Sequence, residues 1–131
     1  MSPAPLLSLL LVDDDTRTVR RLAQLLRDDG FAVQTAVNLA TARQLAAAAR
    51  FDVALLDIRL PDGDGRTLAN EFLALYPGLQ VIFVTIYPEL LPRPVADVAF
   101  SCITKPIDYP QLLRRLETIA CDARTRKACV G

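Results

Sequence analysis

The sequence predicts a doubly wound α/β fold built on a five-stranded parallel sheet. Short apolar runs alternate along the chain with segments of helical periodicity, the pattern of parallel strands joined by helical crossovers. Several of these runs stop abruptly at charged residues, which is typical of strands buried on both faces. The chain has 131 residues, the size of one domain with one core.

The apolar runs and their flanking residues give the expected order of elements. Strands are expected over residues 6–12, 31–35, 53–57, 80–85 and 100–104, and helices over 16–27, 39–49, 66–75 and 108–120. Asp15 or Thr16 is suited to cap the first helix, Asn38 the second, and Gly30 to end the first. With right-handed crossovers, this succession fits a flavodoxin-like sheet of strand order 2-1-3-4-5.

One segment departs from the alternation. A helix is expected between the fourth and fifth strands, but Pro88, Pro92 and Pro94 fall there. A proline inside a helix costs about 3 kcal/mol, because it removes a hydrogen bond and clashes with the preceding turn. We therefore expect a shortened or irregular fourth helix. Residues 61–65 have the composition of a loop.

Composition narrows the class of protein. Lysine plus arginine equals aspartate plus glutamate at 15 each, so the net charge is zero. A balanced charge gives no indication that the protein binds nucleic acid or an anionic membrane. No apolar stretch reaches the ~20 residues that span a bilayer, and no signal peptide is evident. Cys102, Cys121 and Cys129 lack metal-site spacing, which fits free thiols in a reducing cytoplasm. We expect one cytoplasmic domain over 1–131, with its core at 6–120 and a tail that extends the last helix and then frays.

Charged and polar residues follow four of the five predicted strands. Asp13 and Asp14 follow the first, Asp57 ends the third, Thr85 ends the fourth and Lys105 follows the fifth. Ligands of such sheets bind outside the carboxyl ends of the strands, where the strand order reverses. The predicted order places the first and third strands side by side, so the three aspartates should converge. Oxygen ligands of this kind suit Mg²⁺.

The same residues are suited to phosphoryl chemistry. A carboxylate at the lip of the core, such as Asp57, can act as a nucleophile toward an activated phosphoryl group. Lys105 supplies a compact positive charge for Asp57 or for a phosphoryl oxygen. The hydroxyl of Thr85 can donate a hydrogen bond to the same group.

Together these segments resemble the receiver domain of bacterial two-component response regulators. The resemblance covers about residues 6–120 and is specific because the motifs occur as an ordered set. The motifs are Leu-Val-Asp13-Asp14, Leu-Leu-Asp57-Ile-Arg-Leu-Pro61-Asp-Gly-Asp64-Gly65, Phe-Val-Thr85 and Thr-Lys105-Pro106.

The resemblance implies a role for each residue of the pocket. Asp57 becomes the phosphoacceptor, which takes its phosphoryl group from a phosphohistidine on a sensor histidine kinase or histidine phosphotransfer protein. Asp14 binds Mg²⁺ directly, and Asp13 binds it directly or through a water molecule. Asp57 also binds the metal, and Arg59 contributes its backbone carbonyl. Thr85 and Lys105 contact the phosphoryl group.

Three further expectations follow from the resemblance and the composition. The Lys105–Pro106 bond should be cis, which proline permits. The chain should be a signalling domain and not a dedicated enzyme, with self-catalysed phosphotransfer and slow autodephosphorylation only. We expect the binding partner to be a histidine kinase or a phosphotransfer protein, and we expect no binding to nucleic acid or membrane. The sequence leaves open whether the chain forms a homodimer.

The sequence also departs from the family pattern. Family members usually carry an aromatic residue three positions before the lysine, where this chain has Cys102, and Gly-Ala where it has Val98-Ala99. The residue after the threonine is normally small, whereas here it is Ile86. The chemistry residues are complete, but the usual relay residues are not.

Three other readings follow from the same residues. A pseudo-receiver would keep the fold and signal by partner contacts alone, which Ile86 and Cys102 favour and the intact pocket opposes.

A phosphatase of the haloacid dehalogenase type needs threonine or valine four positions after its first aspartate. From Asp13 that position is Arg17, and from Asp14 it is Thr18 without the required second aspartate. An EF-hand loop over Asp57 to Gly65 is excluded, because Arg59 and Pro61 occupy positions that need side chains with oxygen ligands.

Overall fold

The structure is a computed structural model that describes residues 6–86 and 100–130, except for the side chains of residues 100 and 122–130. The predicted irregular fourth helix, with its three prolines, lies outside the described residues. In chain order the elements are β1 (Ser8–Val12), α1 (Thr16–Asp28), β2 (Ala32–Ala36), α2 (Leu39–Ala48), β3 (Val53–Leu56), β4 (Arg59–Leu60), β5 (Gly63–Asp64), α3 (Gly65–Leu75), β6 (Gln80–Thr85), β7 (Phe100–Thr104) and α4 (Tyr109–Val130).

Five strands form one parallel sheet in the order β2-β1-β3-β6-β7. Counted along the chain, these are strands 2-1-3-4-5, so the predicted flavodoxin-like topology is confirmed. The order reverses between β1 and β3, which pair directly with Val12 opposite Leu56. The carboxyl ends of these two strands are therefore neighbours at the switch point.

Two apolar layers cover the two faces of the sheet. Successive residues of a strand point to opposite faces, so Leu9 and Leu11 of β1 pack with α1 and α4, while Leu10 and Val12 pack with α2 and α3. All four β3 residues are fully buried. Burial on both faces explains why β3 is continuously apolar and does not alternate.

The helices begin at capping side chains. The Asp15 carboxylate accepts hydrogen bonds from the backbone N–H groups of Arg17 and Thr18, and Asn38 Oδ1 accepts one from Thr41 at 2.8 Å. Each cap satisfies an N–H group that has no partner within its helix. The predicted caps Asp15 and Asn38 are confirmed, and Asp64 caps α3 in the same way.

The prediction of a loop over residues 61–65 was right only for the turn at Pro61 and Asp62, because Gly63 and Asp64 form a strand and Gly65 begins a helix. Arg59 pairs with Asp64 and Leu60 with Gly63, which makes a short antiparallel hairpin of β4 and β5. Turn composition does not distinguish an irregular loop from a tight hairpin, because both use Asp and Gly. Gly63 has a φ of 152°, a backbone conformation that glycine adopts without steric cost.

Smaller corrections concern the ends of the elements. The first three strands of the parallel sheet are Ser8–Val12, Ala32–Ala36 and Val53–Leu56 in place of 6–12, 31–35 and 53–57. Four helices run 16–28, 39–48, 65–75 and 109–130 in place of 16–27, 39–49, 66–75 and 108–120. Element ends fray and are set by individual hydrogen bonds, which periodicity does not resolve. Residues 121–130 continue the last helix, as predicted, and the helix runs to Val130.

No helix within the described residues is both long enough and apolar enough to cross a bilayer. The longest, α4, spans 22 residues but carries charged residues throughout its length.

Gly65 fits closely against the backbone of Asp57. The Gly65 N–H donates to the carbonyl of Ile58 at 2.7 Å, and a Cβ atom on Gly65 would overlap the carbonyl oxygen of Asp57. The first residue of α3 is therefore confined to glycine, because any side chain would displace the strand end that carries Asp57.

We predict that Gly65→Ala destabilises the fold by about 2 kcal/mol, since overpacking against fixed backbone typically costs 1–3 kcal/mol. Urea unfolding monitored by circular dichroism measures the change. Thr67→Ala, at an exposed position of the same helix, is the control and should leave stability nearly unchanged. Equal stabilities for the two variants would contradict the close fit.

Candidate functional site

Three site residues each extend a strand by one position. Asp13 N donates to the carbonyl of Ala36 at 3.1 Å, Asp57 N to that of Val12 at 2.9 Å, and Lys105 N to that of Thr85 at 2.8 Å. These hydrogen bonds continue the pairing between neighbouring strands by one residue beyond the ends of β1, β3 and β7. The side chains of Asp13, Asp57 and Lys105 consequently lie at the same edge of the sheet.

The three predicted aspartates converge at this edge. One carboxylate oxygen from each of Asp13, Asp14 and Asp57 lies within 4.8 Å of the other two. Asp13 is 4% exposed, Asp57 is half-buried and Asp14 faces solvent. The cluster therefore has a buried side, formed by Asp13, and an open side, formed by Asp14.

Lys105 joins two of the three carboxylates. Its Nζ lies 2.7 Å from Asp13 Oδ2 and 3.0 Å from Asp57 Oδ2. Asp13 Oδ1 also accepts a hydrogen bond from the backbone N–H of Asp15 at 3.0 Å. Both oxygens of the buried carboxylate are thus satisfied, as a buried charge requires.

Electrostatics in the pocket are dominated by the excess of carboxylates. Partial desolvation raises the pKa of Asp14, and the neighbouring Asp13 and Asp57 raise it further. Desolvation alone would lower the pKa of Lys105, but its hydrogen bonds and charge interactions with Asp13 and Asp57 outweigh this effect and raise it. Lys105 is therefore held in its charged form, and like-charge repulsion among the aspartates is only partly offset.

The donor set fits a hard divalent cation. All three side chains offer carboxylate oxygens within one small volume, and Mg²⁺ prefers oxygen ligands from one or two carboxylates with water completing its shell. Repulsion among the carboxylates would be relieved by a dication. The acidic pocket thus has both the ligands and the charge imbalance that a magnesium site needs.

The other predicted site residues lie around this pocket. Thr85 ends β6 and is 1% exposed, and its carbonyl accepts the Lys105 N–H. Arg59 begins β4, two positions after Asp57. The Lys105–Pro106 bond is cis, as predicted.

The two residues that depart from the family pattern differ in environment. Ile86 is 58% exposed. Cys102 is half-buried against the α2–α3 layer, and its carbonyl accepts a hydrogen bond from Arg115 at 3.4 Å. Burial raises the pKa of the Cys102 thiol, so this side chain is a small apolar filler in β7.

A groove lies beside the pocket, between α1 and the segment that leads into α4. It encloses about 380 Å³. The described residues that line it are Thr18, Arg21, Leu22, Leu25, Lys105, Pro106, Ile107 and Tyr109. Lys105 belongs to both the groove and the pocket, so an apolar surface adjoins the acidic site directly.

Comparison with known proteins agrees with this geometry. The family model described as "Response regulator receiver domain" matches residues 9–117, which include Asp13, Asp14, Asp57, Thr85 and Lys105. The chain belongs to the receiver domain family. The resemblance seen in the sequence is therefore confirmed.

Individual relatives show the same relationship. The receiver is 32% identical to the transcriptional regulatory protein GlrR of Escherichia coli K12, over 93% of this chain and 29% of GlrR. It is 32% identical to the photosynthetic apparatus regulatory protein RegA of Cereibacter sphaeroides, over 83% of this chain and 60% of RegA. The chain thus matches only part of the length of these curated relatives.

Solved structures share the fold. The signal receiver domain of an HD domain-containing protein from Pseudomonas fluorescens Pf-5 superposes with a TM-score of 0.82 at 26% identity, covering 98% of this chain and 95% of that one. A CheY-like receiver from Methanospirillum hungatei JF-1 superposes with a TM-score of 0.79 at 27% identity, covering 91% and 97%.

The sequence assigned no role to two residues of the hairpin segment that make long-range contacts. Gly65 contacts the backbone of Asp57, and Asp62 bonds the first turn of α2. Both lie in the Pro-Asp-Gly-Asp-Gly segment, whose composition was a usable signal for a constrained turn. The partner of Asp62 lies 23 positions earlier in the chain, and local sequence carries no information on that contact.

We predict that Asp14→Asn stabilises the metal-free receiver near pH 7 by a few degrees in melting temperature. The pKa of Asp14 is raised in the folded state, so its ionisation costs stability above that pKa, and a neutral amide removes the cost. The gain should vanish as pH falls below the pKa of an unfolded aspartate, because Asp14 is then neutral as well. Thermal melts with a chelator test this, with Asp28→Asn on the exposed surface of α1 as control.

We also predict that Mg²⁺ stabilises the wild-type receiver. At ten times its dissociation constant, a ligand of the folded state contributes about 1.4 kcal/mol, or about 5 °C in melting temperature for a domain of this size. Asp14→Asn should lose most of this rise. A magnesium-dependent rise of equal size in both proteins would remove Asp14 from the metal site.

Proposed function

We propose that this receiver accepts a phosphoryl group on Asp57 from a phosphohistidine, in the presence of Mg²⁺, and thereby changes its contacts with partner proteins. The observation that carries the proposal is the position of the Asp57 carboxylate. It lies at the open edge of the sheet, bonded to Lys105 and within 4.8 Å of the Asp13 and Asp14 carboxylates. A nucleophile, a cation and a metal-binding pair thus meet in one pocket.

Each residue has a role in the proposed transfer. An oxygen of the Asp57 carboxylate attacks phosphorus, the P–N bond to the histidine breaks, and its electron pair returns to the imidazole nitrogen. Asp13, Asp14, Asp57 and the Arg59 carbonyl would hold Mg²⁺, which when bound neutralises charge on the transferring group. The Lys105 ammonium, already bonded to Asp57 Oδ2, follows the charge onto the phosphoryl oxygens.

Thr85 completes the proposed phosphoryl site. Thr85 is almost fully buried at the end of β6, and its carbonyl accepts a hydrogen bond from the backbone N–H of Lys105. A hydroxyl at this place can donate to a phosphoryl oxygen without further desolvation. The receiver contributes positioning and electrostatics to its own modification, so the proposal is self-catalysed transfer and slow autodephosphorylation, not a dedicated enzyme.

The groove between α1 and α4 is the proposed docking surface for the histidine-bearing partner. It adjoins Lys105, and Leu25 on its wall is 38% exposed although apolar. A sensor histidine kinase or phosphotransfer protein seated there would bring its phosphohistidine to Asp57.

A cytoplasmic site of action belongs to the same proposal, and the free thiols of Cys102 and Cys121 fit a reducing compartment.

A second candidate is the pseudo-receiver, which would signal by partner contacts without phosphorylation. The specific observation in its favour is Cys102, a small half-buried residue at the position of the family's aromatic switch. It lacks the ring whose rotation would report phosphorylation at a distance. The complete acidic pocket favours the phosphorylated receiver, and chemical phosphorylation separates the two.

We predict that wild-type receiver treated with acetyl phosphate and Mg²⁺ gains the mass of one phosphoryl group, and that Asp57→Asn does not. Asparagine is isosteric with aspartate but is not a nucleophile. Intact-mass spectrometry is the measurement, and Asp28→Asn is the control for a carboxylate outside the pocket. A wild type that never gains the mass would favour the pseudo-receiver, and an adduct on Asp57→Asn would place the phosphoacceptor elsewhere.

We predict that Leu25→Arg slows phosphotransfer from a phosphohistidine protein by about 10-fold or more, the effect of a truncated interface anchor. Phosphorylation by acetyl phosphate should stay unchanged, because the pocket itself is intact. Leu75→Arg is the matched control, since Leu75 is 65% exposed at the far end of α3. Equal rates for both variants with the protein donor would exclude the groove as the docking surface.

A further inference from the structure

Asp62 forms a contact that the proposed chemistry does not use. Its Oδ1 accepts a hydrogen bond from the backbone N–H of Leu39 at 2.7 Å, and its Oδ2 accepts one from Ala40 at 3.1 Å. A side chain from the β4–β5 hairpin therefore caps a helix 23 positions earlier in the chain. An anion is favourable at a helix N-terminus, and these bonds lower the pKa of Asp62.

A second side chain also caps the start of this helix. Asn38 caps α2 from within the chain by accepting from Thr41 at 2.8 Å. Buried Leu39, Ala42 and Ala46 anchor the same helix to the sheet. The additional effect of Asp62 is a tie between α2 and the tip of the hairpin.

The hairpin is held at its base as well as at its tip. At the base, Arg59 pairs with Asp64, and Gly65 donates to Ile58 beside Asp57. At the tip, Gly63 packs so closely on Leu39 that a Cβ on Gly63 would overlap the leucine side chain. The hydrogen bonds at the tip and the pairing at the base therefore hold the short β4 strand from both sides.

We propose that Asp62 is a positioning residue of the metal site: by tying the hairpin to α2, it would hold in place the Arg59 carbonyl that would serve as a ligand of the metal. This inference rests on the proposed function, since it presupposes that Mg²⁺ binds at Asp13, Asp14, Asp57 and Arg59. Residues outside the ligand shell that orient a ligand typically change metal affinity 10- to 100-fold when removed. Asp62 acts on affinity and not on the phosphoryl step, because it touches neither Asp57 nor Lys105.

The test compares Asp62→Ala with Asn38→Ala. Both variants remove a cap from the same helix, and each should lower the melting temperature by a few degrees. Only Asp62→Ala removes the hydrogen bonds between the hairpin and α2. Magnesium affinity is measured by calorimetric titration, and the initial rate of phosphorylation by acetyl phosphate is measured across magnesium concentrations.

We expect the magnesium dissociation constant to rise about 10-fold in Asp62→Ala, and by less than about 2-fold in Asn38→Ala. At saturating magnesium, the phosphorylation rate of Asp62→Ala should recover to within about 2-fold of the wild type, since a loss of metal affinity is overcome by mass action. Equal dissociation constants for the two variants, or a rate that does not recover, would overturn the inference.

A third variant keeps the test informative if Asp62→Ala does not fold. Asp62→Asn retains one carbonyl oxygen for the Leu39 N–H but turns its amide donors toward the Ala40 N–H, so an intermediate dissociation constant is expected. An unchanged constant would count against the inference. A wild type that binds no magnesium would instead overturn the proposed function and this inference with it, which separates the two failures.

Discussion

The ammonium group of Lys105 is the interaction on which the functional edge depends. It bonds Asp13 and Asp57, which lie 92 and 48 positions earlier in the chain, and so joins three strand ends. Without it, carboxylates brought within 4.8 Å of one another would repel with no compensation. Because one cation does not balance three carboxylates, the pocket keeps an attraction for a further positive charge.

Stability and function are carried by different parts of the molecule. The apolar layers on the two faces of the sheet supply the burial that holds the fold, and they contain almost no polar side chains. The charge imbalance is confined to residues just past the strand ends. A domain with two full layers of core can carry an unfavourable cluster at one edge, because its cost is small beside the hydrophobic contribution.

Two neighbours of the pocket connect it to the rest of the molecule. On one side the β4–β5 hairpin is fastened to α2 by Asp62 and to Asp57 by Gly65. On the other side Tyr109 lies in the groove beside Lys105 and donates to Asp29 at 2.6 Å, which joins the start of α4 to the end of α1. The burial of the ring and, after it, the hydrogen bond with Asp29 raise the pKa of Tyr109 well above its usual value, so the phenol stays a donor at physiological pH.

The sequence by itself determined the fold class, the strand order and the residues of the pocket. Strands buried on both faces appear in the sequence as continuous apolar runs. In this fold, polar residues that follow such strands lie at the carboxyl edge of the sheet, which allowed Asp13, Asp57 and Lys105 to be identified. The cis bond at Pro106 came from the family resemblance. The sequence did not distinguish a loop from a hairpin at residues 61–65, since the same turn residues occur in both.

Only the tertiary structure decided which side chains bond across the chain. The bifurcated contact of Lys105, the Asp62 cap on α2 and the fit of Gly65 against Asp57 each depend on the relative placement of elements. Periodicity reports which face of an element is buried, but not the distance between atoms on different elements. That distance is set by side-chain packing between the layers, which is a property of the folded molecule and not of any local segment.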